Sequence, residues 1–117
     1  MTTLYGIRNC DTCRKALKWL EASGIDVTFH DFRRDGVPAA RLQHWLDTVG
    51  PESLINRRSA TWRKLPEGDR ARADTAPVEL LQEQPTLVRR PVLEHGDKVL
   101  AGFRETDYAA LLPGGQS

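Results

Sequence analysis

Cys10 and Cys13 are the only cysteines in the chain, and they form a Cys-x-x-Cys pair. A zinc site would need further thiolates or imidazoles at ligand spacing. His30, His44 and His95 are scattered instead, so no metal is expected. A disulfide across so short a segment would close a tiny loop and restrain little of the unfolded chain. In a reducing compartment such a pair is read as redox-active or nucleophilic, the alternative being two inert thiols.

Cys10 follows a short apolar run, Thr3-Leu4-Tyr5-Gly6-Ile7, and precedes a helical pattern, which puts it where a strand hands over to a helix. The first turn of a helix offers unpaired N–H groups and partial positive charge, and both favour a thiolate. Arg14 and Lys15 add positive potential. Cys13 lies one turn further along on nearly the same face, within reach of a bond to the Cys10 sulfur. These positions give Cys10 the nucleophile's part and Cys13 the resolving part. The competing reading makes Cys13 a small buried residue at the helix interface.

Arginines supply the second chemistry. Basic pairs recur at Arg33-Arg34, Arg57-Arg58, Arg63-Lys64 and Arg89-Arg90, and most such pairs are solvated surface. A cysteine working on an anion does need guanidinium forks, which hold oxyanions and carboxylates bidentately. Arg58 and Arg90 are the best candidates, because each sits beside a structural break. Pro91, between Val88 and Val92, cannot donate to a central ladder and marks a strand start, a bulge or an edge.

The elements that must position these residues follow from period and punctuation. Ala16, Leu17 and Leu20 have helical spacing before Gly24, while Ile25, Val27 and Phe29 alternate as a half-buried strand does. Asp35-Gly36-Val37-Pro38 is a turn, and Leu42, Trp45, Leu46 and Val49 mark an amphipathic helix ended by Gly50-Pro51. Short helices are expected over 53–56, 61–65 and 78–84. Strands are expected over 87–93 and 98–101, joined at His95-Gly96-Asp97. Thr106 is a candidate cap for a last helix ending at Pro113, with 114–117 as a frayed tail.

Strand, helix, strand, helical block, strand, strand, helix is the order of a thioredoxin-like α/β fold: a mixed sheet with a helical insertion at about 37–84. In such folds a cis-proline begins the strand facing the reactive cysteine. Pro91 in that part would bring Arg90 near Cys10; a trans proline on an edge strand is the alternative.

At 117 residues the chain is expected to form one domain over 1–117, burying roughly two-thirds of its unfolded surface. A net charge of +1 and 28% charged residues argue against general nucleic-acid or membrane-surface binding. No apolar run approaches a membrane span, and the start lacks an export signal, so a cytoplasmic protein is expected.

Three ordered stretches carry a resemblance: Leu4 through Ala16 with its Gly-Ile-Arg-Asn-Cys-Asp-Thr-Cys-Arg-Lys centre, Thr61-Trp62-Arg63-Lys64-Leu65, and Leu87-Val88-Arg89-Arg90-Pro91-Val92. Together they resemble the ArsC/Spx family, in particular its YffB-like branch of small bacterial proteins, over nearly the whole chain. The resemblance implies that Cys10 is the nucleophile and that Arg90, just before Pro91, holds an oxyanion. Arg58 falls near the family's other anion-binding arginine, at a looser match. A third arginine of true arsenate reductases is missing from Leu100-Ala101-Gly102-Phe103, although Arg104 lies close by.

What the resemblance implies is a thiol-dependent reductase acting on a mixed disulfide or an oxyanion such as arsenate. Glutathione would be co-substrate, glutaredoxin a possible partner, the protein monomeric, and no cofactor bound. The alternative it carries is an Spx-like, redox-switched regulator that binds the C-terminal domain of the RNA polymerase alpha subunit. Spx-type members usually run on into a longer charged tail, whereas this sequence stops at Pro113-Gly114-Gly115-Gln116-Ser117, which favours the enzyme.

Overall fold

The computed structural model describes residues 1–112. They fall into two compact units: one of Met1–Phe32 together with the segment from Arg90 onward, the other of Arg33–Arg89.

The first unit is built on a four-stranded mixed sheet in the order β2-β1-β3-β4. β1 (Thr2–Gly6) leads through α1 (Asp11–Ala22) to β2 (Val27–Asp31), which pairs parallel to β1. β3 (Val92–His95) returns antiparallel to β1 on its other side, and β4 (Lys98–Ala101) completes a hairpin with β3. α8 (Glu105–Leu111) follows. This is the thioredoxin-like α/β order expected from the sequence. Leu4 stands opposite Phe29 on one side and Leu93 on the other, so an apolar row crosses the sheet. Ala16 and Leu20 of α1 and Tyr108 of α8 pack with Leu4 and Leu93 in one core, all fully buried. A Schellman motif ends α1: Ile25 N–H donates to the Leu20 carbonyl, Gly24 N–H to that of Glu21, and Gly24 takes the positive φ the motif needs.

The second unit is helical. After α2 (Phe32–Asp35), which starts on the last residue of the first unit, come α3 (Ala39–Val49), α4 (Pro51–Leu54), α5 (Ala60–Lys64), α6 (Glu67–Thr75), α7 (Pro77–Glu83) and a 3₁₀ turn at Pro85–Leu87. α3 buries Leu42, Trp45 and Leu46, as its spacing requires. Ser59 caps α5 by accepting the Trp62 N–H.

Four expectations change. The apolar run 87–93 is not one strand: Leu87 ends the 3₁₀ turn, Val88 makes a lone bridge to Ile55, and β3 begins only after Pro91. Proline has no N–H to give a ladder, and its carbonyl instead accepts from Gly102 N–H at 2.8 Å. The helix placed at 53–56 runs Pro51–Leu54, since proline is pre-set for a first helical position. α6 has no counterpart in the expected elements. Finally, α8 is capped at Arg104 rather than Thr106. Pro113 and the tail fall outside the described residues.

Candidate active site

Cys10 is the N-cap residue of α1, with an extended backbone at φ −99° and ψ 122°. Its N–H donates to the Ile7 carbonyl and its own carbonyl accepts from Arg14 N–H, which fixes the turn between β1 and α1. A serine or aspartate at an N-cap offers an oxygen to the second and third helical N–H groups. Here those groups belong to Thr12 and Cys13, and what they face is sulfur. The neutral thiol makes no capping hydrogen bond. The thiolate is another matter. Partial burial works to raise the Cys10 pKa, but the Cys13 amide, the Cys13 thiol, the Arg90 guanidinium and the Thr12 amide all favour the charged form, and the balance lies below the ordinary thiol value. Alkylation of Cys10 in a Cys13→Ser background is therefore expected to reach its plateau with a midpoint below the ordinary thiol pKa; a midpoint at or above it would remove the basis for a thiolate here.

Cys13 has the opposite character. It is 1% exposed, on the face of α1 that carries Ala16 and Leu20. Burial pushes its pKa up to about 12; a hydrogen bond from the Ile7 backbone lowers it, the Cys10 sulfur raises it, and Arg90 lowers it. So Cys13 keeps its proton and donates it in a hydrogen bond to the Cys10 thiolate. Two free thiols of unlike acidity stand side by side.

The close approach rests on Gly6. A Cβ built there would lie 2.5 Å from the Cys13 sulfur, so a side chain on this residue would overlap it. A glycine within a strand is a signal of close backbone approach, and it could have been read as one from the sequence. Arg90 and Pro91 enter from the other end of the chain, at the start of β3, through a cis peptide bond. Cys10, Cys13, Arg90 and Pro91 thus belong to one unit, and the Arg90 charge acts on both sulfurs.

A cavity of about 300 Å³ reaches Cys13, with Ile7, Leu17 and Phe29 also in its lining and Arg8, Arg14 and Lys18 as its cations. Arg8 lies over the Phe29 ring, 5.1 Å from its centre.

A model of the ArsC family matches residues 5–111. The chain belongs to the ArsC family. It is similar to a YffB protein of known structure, at 40% identity and a TM-score of 0.89 over 94% of this chain and 97% of that one. An arsenate reductase (ArsC) related protein from Brucella melitensis is 49% identical, with a TM-score of 0.73 over 93% of this chain and 92% of that one. The global transcriptional regulator Spx of Streptococcus pneumoniae is 30% identical over 115 residues, which is 97% of this chain and 86% of the regulator.

The remaining candidates of this ArsC-family chain are Arg14, which lines the same cavity as Cys13, and Arg58. Arg14 is exposed and committed to Asp11 and to the Arg8 carbonyl, and the charge that acts on Cys10 comes from Arg90 instead. Arg58 is an exposed residue of the helical unit, in the turn between α4 and α5, where its N–H donates to the Asn56 side chain. Among the described residues no group of three or more His, Cys, Asp and Glu side chains gathers to hold a metal, and no helix is long and apolar enough to cross a membrane. Tyr108 was not a sequence candidate. Its hydroxyl is buried without a hydrogen-bond partner, and the charge on Cys13 helps to raise its pKa, after burial itself.

Proposed function

We propose that the protein is a thiol-dependent reductase in which Cys10 is the nucleophile and Cys13 the resolving thiol. The observation that carries this reading is the unlike acidity of two adjacent sulfurs: a thiolate-favouring Cys10 at a helix N-terminus, and a protonated Cys13 donating to it. In the first step the Cys10 thiolate attacks the sulfur of a mixed disulfide, forms a disulfide to it and expels the other thiolate. A second thiol, from glutathione or from Cys13, then attacks the adduct and frees its other half. With arsenate the same thiolate would form a bond to arsenic as one arsenate oxygen leaves as water, and two glutathione thiols would supply the two reducing electrons by joining in a disulfide.

Arg90 is the anion-holding residue of this reading, with Arg58 and Arg14 as further candidates and Pro91 as the residue that fixes Arg90 at the strand start. Glutathione as co-substrate, glutaredoxin as partner, a monomeric state and a cytoplasmic setting belong to the same proposal.

The test is turnover of the purified protein with arsenate and, separately, with glutathione mixed disulfides, each supplied with glutathione and glutaredoxin. Activity on the mixed disulfide and not on arsenate is expected, because Leu100-Ala101-Gly102-Phe103 offers no third arginine. In Arg90→Ala, kcat/KM should fall by about tenfold to a hundredfold, the worth of a charge-assisted hydrogen bond, and protection of Cys10 by sulfate or phosphate should weaken. Unchanged kinetics would return Arg90 to ordinary surface.

A second reading rests on the Spx relatives, whose length this chain nearly spans. In it the two cysteines are a switch on a regulator that binds the alpha C-terminal domain of RNA polymerase. Capture of that domain by one redox form alone, with no turnover in either assay, would put this reading first.

A further inference from the structure

The cavity that reaches Cys13 has walls the proposed reaction leaves unused. Along α1 it follows one face: Cys13, Leu17 and Glu21 stand four residues apart, with Arg14 and Lys18 beside them. At the helical rise this wall is about 12 Å long. The facing wall is made by Ile7 and Arg8, in the turn after β1, and by Phe29 of β2. Cys10, Arg90 and Pro91 do not line it, so an occupant would not stand over the reacting sulfur. Leu17 and Phe29 pack on the core with one side and give their other side to the cavity, which leaves both half-buried. Apolar surface inside a polar rim is the mark of a ligand groove. The rim carries three cations against one acid, Glu21. Arg14 is paired with Asp11, and Arg8 is shared between the Phe29 ring and Asp31, 3.9 Å away. Lys18 is exposed and enters no ion pair among the described residues. The inner end brings no charge of its own, because burial keeps the Cys13 thiol protonated.

We propose that this cavity is a binding site for a small amphipathic monoanion, an aliphatic or aromatic carboxylate whose apolar body lies on Ile7, Leu17 and Phe29 and whose charge is held by Lys18 at the rim. Each part of that description follows from the walls. A volume of about 300 Å³ is at the lower end for small-molecule pockets, which sets a small occupant. Three apolar side chains call for an apolar body, since covering them removes surface from water. An ammonium group would meet Arg8, Arg14 and Lys18, whereas a second carboxylate at the far end of the groove would meet Glu21. One negative charge suits the rim. An aliphatic body can follow the α1 wall, and an aromatic one can stack against Phe29. The site is separate from Cys10 and holds its ligand whichever reaction that thiolate performs.

Octanoate is the probe, titrated into the reduced full chain and followed through its amide NMR spectrum. Saturable shifts are expected at Leu17, Lys18 and Phe29, with a Kd of about 1 mM or below. The helical unit, Arg33–Arg89, should not respond. Octanamide, the same body without the charge, should bind about twofold to fivefold more weakly, the worth of one exposed ion pair. Lys18→Glu replaces that attraction by repulsion and should weaken octanoate about threefold to tenfold. Lys15→Glu makes the same change in net charge at an exposed residue outside the walls, and should leave the affinity nearly unchanged. Saturating octanoate should also leave the alkylation rate of Cys10 by iodoacetamide unchanged. No saturable binding, shifts spread over the helical unit, equal affinity for octanamide, or equal losses in the two lysine variants would each overturn the site. Protection of Cys10 by octanoate would overturn it too, by placing the ligand over the reacting sulfur. None of these readouts uses turnover, so the reductase reading stands or falls separately.

Discussion

Cys10→Ser should abolish reductase activity, a loss of at least a thousandfold, while Cys13→Ser retains much of it when glutathione is abundant. The asymmetry follows from the two environments. Cys10 is half-exposed at the mouth of α1 and its thiolate is favoured by Arg90 and by two helix N–H groups, so it can meet a substrate sulfur as a charged nucleophile. A serine hydroxyl there is un-ionised at any ordinary pH and cannot replace it. Cys13 is sealed in the core and protonated, so it acts only on what Cys10 already holds. Glutathione in solution can do the same from outside. The measurement is turnover at low and at high glutathione, with the trapped adduct followed by intact mass. At low glutathione Cys13→Ser should accumulate the adduct on Cys10. Its Cys10 should still react as a thiolate at neutral pH, because the serine hydroxyl replaces the Cys13 thiol as a donor to it. Equal inactivation by both substitutions at high glutathione would mean an obligatory dithiol route. Full activity without Cys10 would end the enzymatic reading and bring the polymerase-binding one forward.

How legible was this site in the sequence? The strand, the cysteine pair and the first helix were readable because their signals are local: the short apolar run to Ile7, helical spacing of Ala16 and Leu20, and Gly24 at the C-terminal cap. The order of elements then gave the mixed sheet. α6 was not readable, because Glu67-Gly68-Asp69-Arg70-Ala71-Arg72-Ala73-Asp74-Thr75 has no apolar stripe and buries only Ala73. What fastens its last turn is a forked ion pair from Arg72 to Glu83 of α7, a contact between two helices that no spacing within one helix announces. The strand at 87–93 failed for a related reason. An apolar run looks the same whether it enters a ladder or caps a helical unit, and only the proline inside it marks where pairing starts. The packing of Tyr108 lay beyond reach altogether: nothing in Thr106-Asp107-Tyr108 says that its ring turns inward onto Ala16 and Leu20 of α1.

Gly6, by contrast, makes a claim about stability that the sequence alone only hints at. Gly6→Ala should destabilise the protein by about 1–3 kcal/mol, the usual cost of forcing extra volume into a packed site. The backbone at Gly6 is an ordinary strand without positive φ, so the penalty does not come from conformation. It comes from the 2.5 Å between the new Cβ and the Cys13 sulfur, with the Cys13 Cβ a further 3.4 Å contact. A cysteine can answer only by turning about one bond, and turning takes its thiol away from Cys10. The variant should therefore lose stability and raise the Cys10 pKa together. Removing the sulfur separates cause from accident: Cys13→Ala alone should cost about 1 kcal/mol as a small core truncation, and Gly6→Ala should then add almost nothing on top of it. Denaturant unfolding of the two single variants and the double variant measures this coupling directly. Strictly additive losses would mean that the sulfur is not what Gly6 makes room for. Strong coupling, with the Cys10 titration following the same pattern, would tie one hydrogen atom in β1 to the reactivity of a thiol at the head of α1.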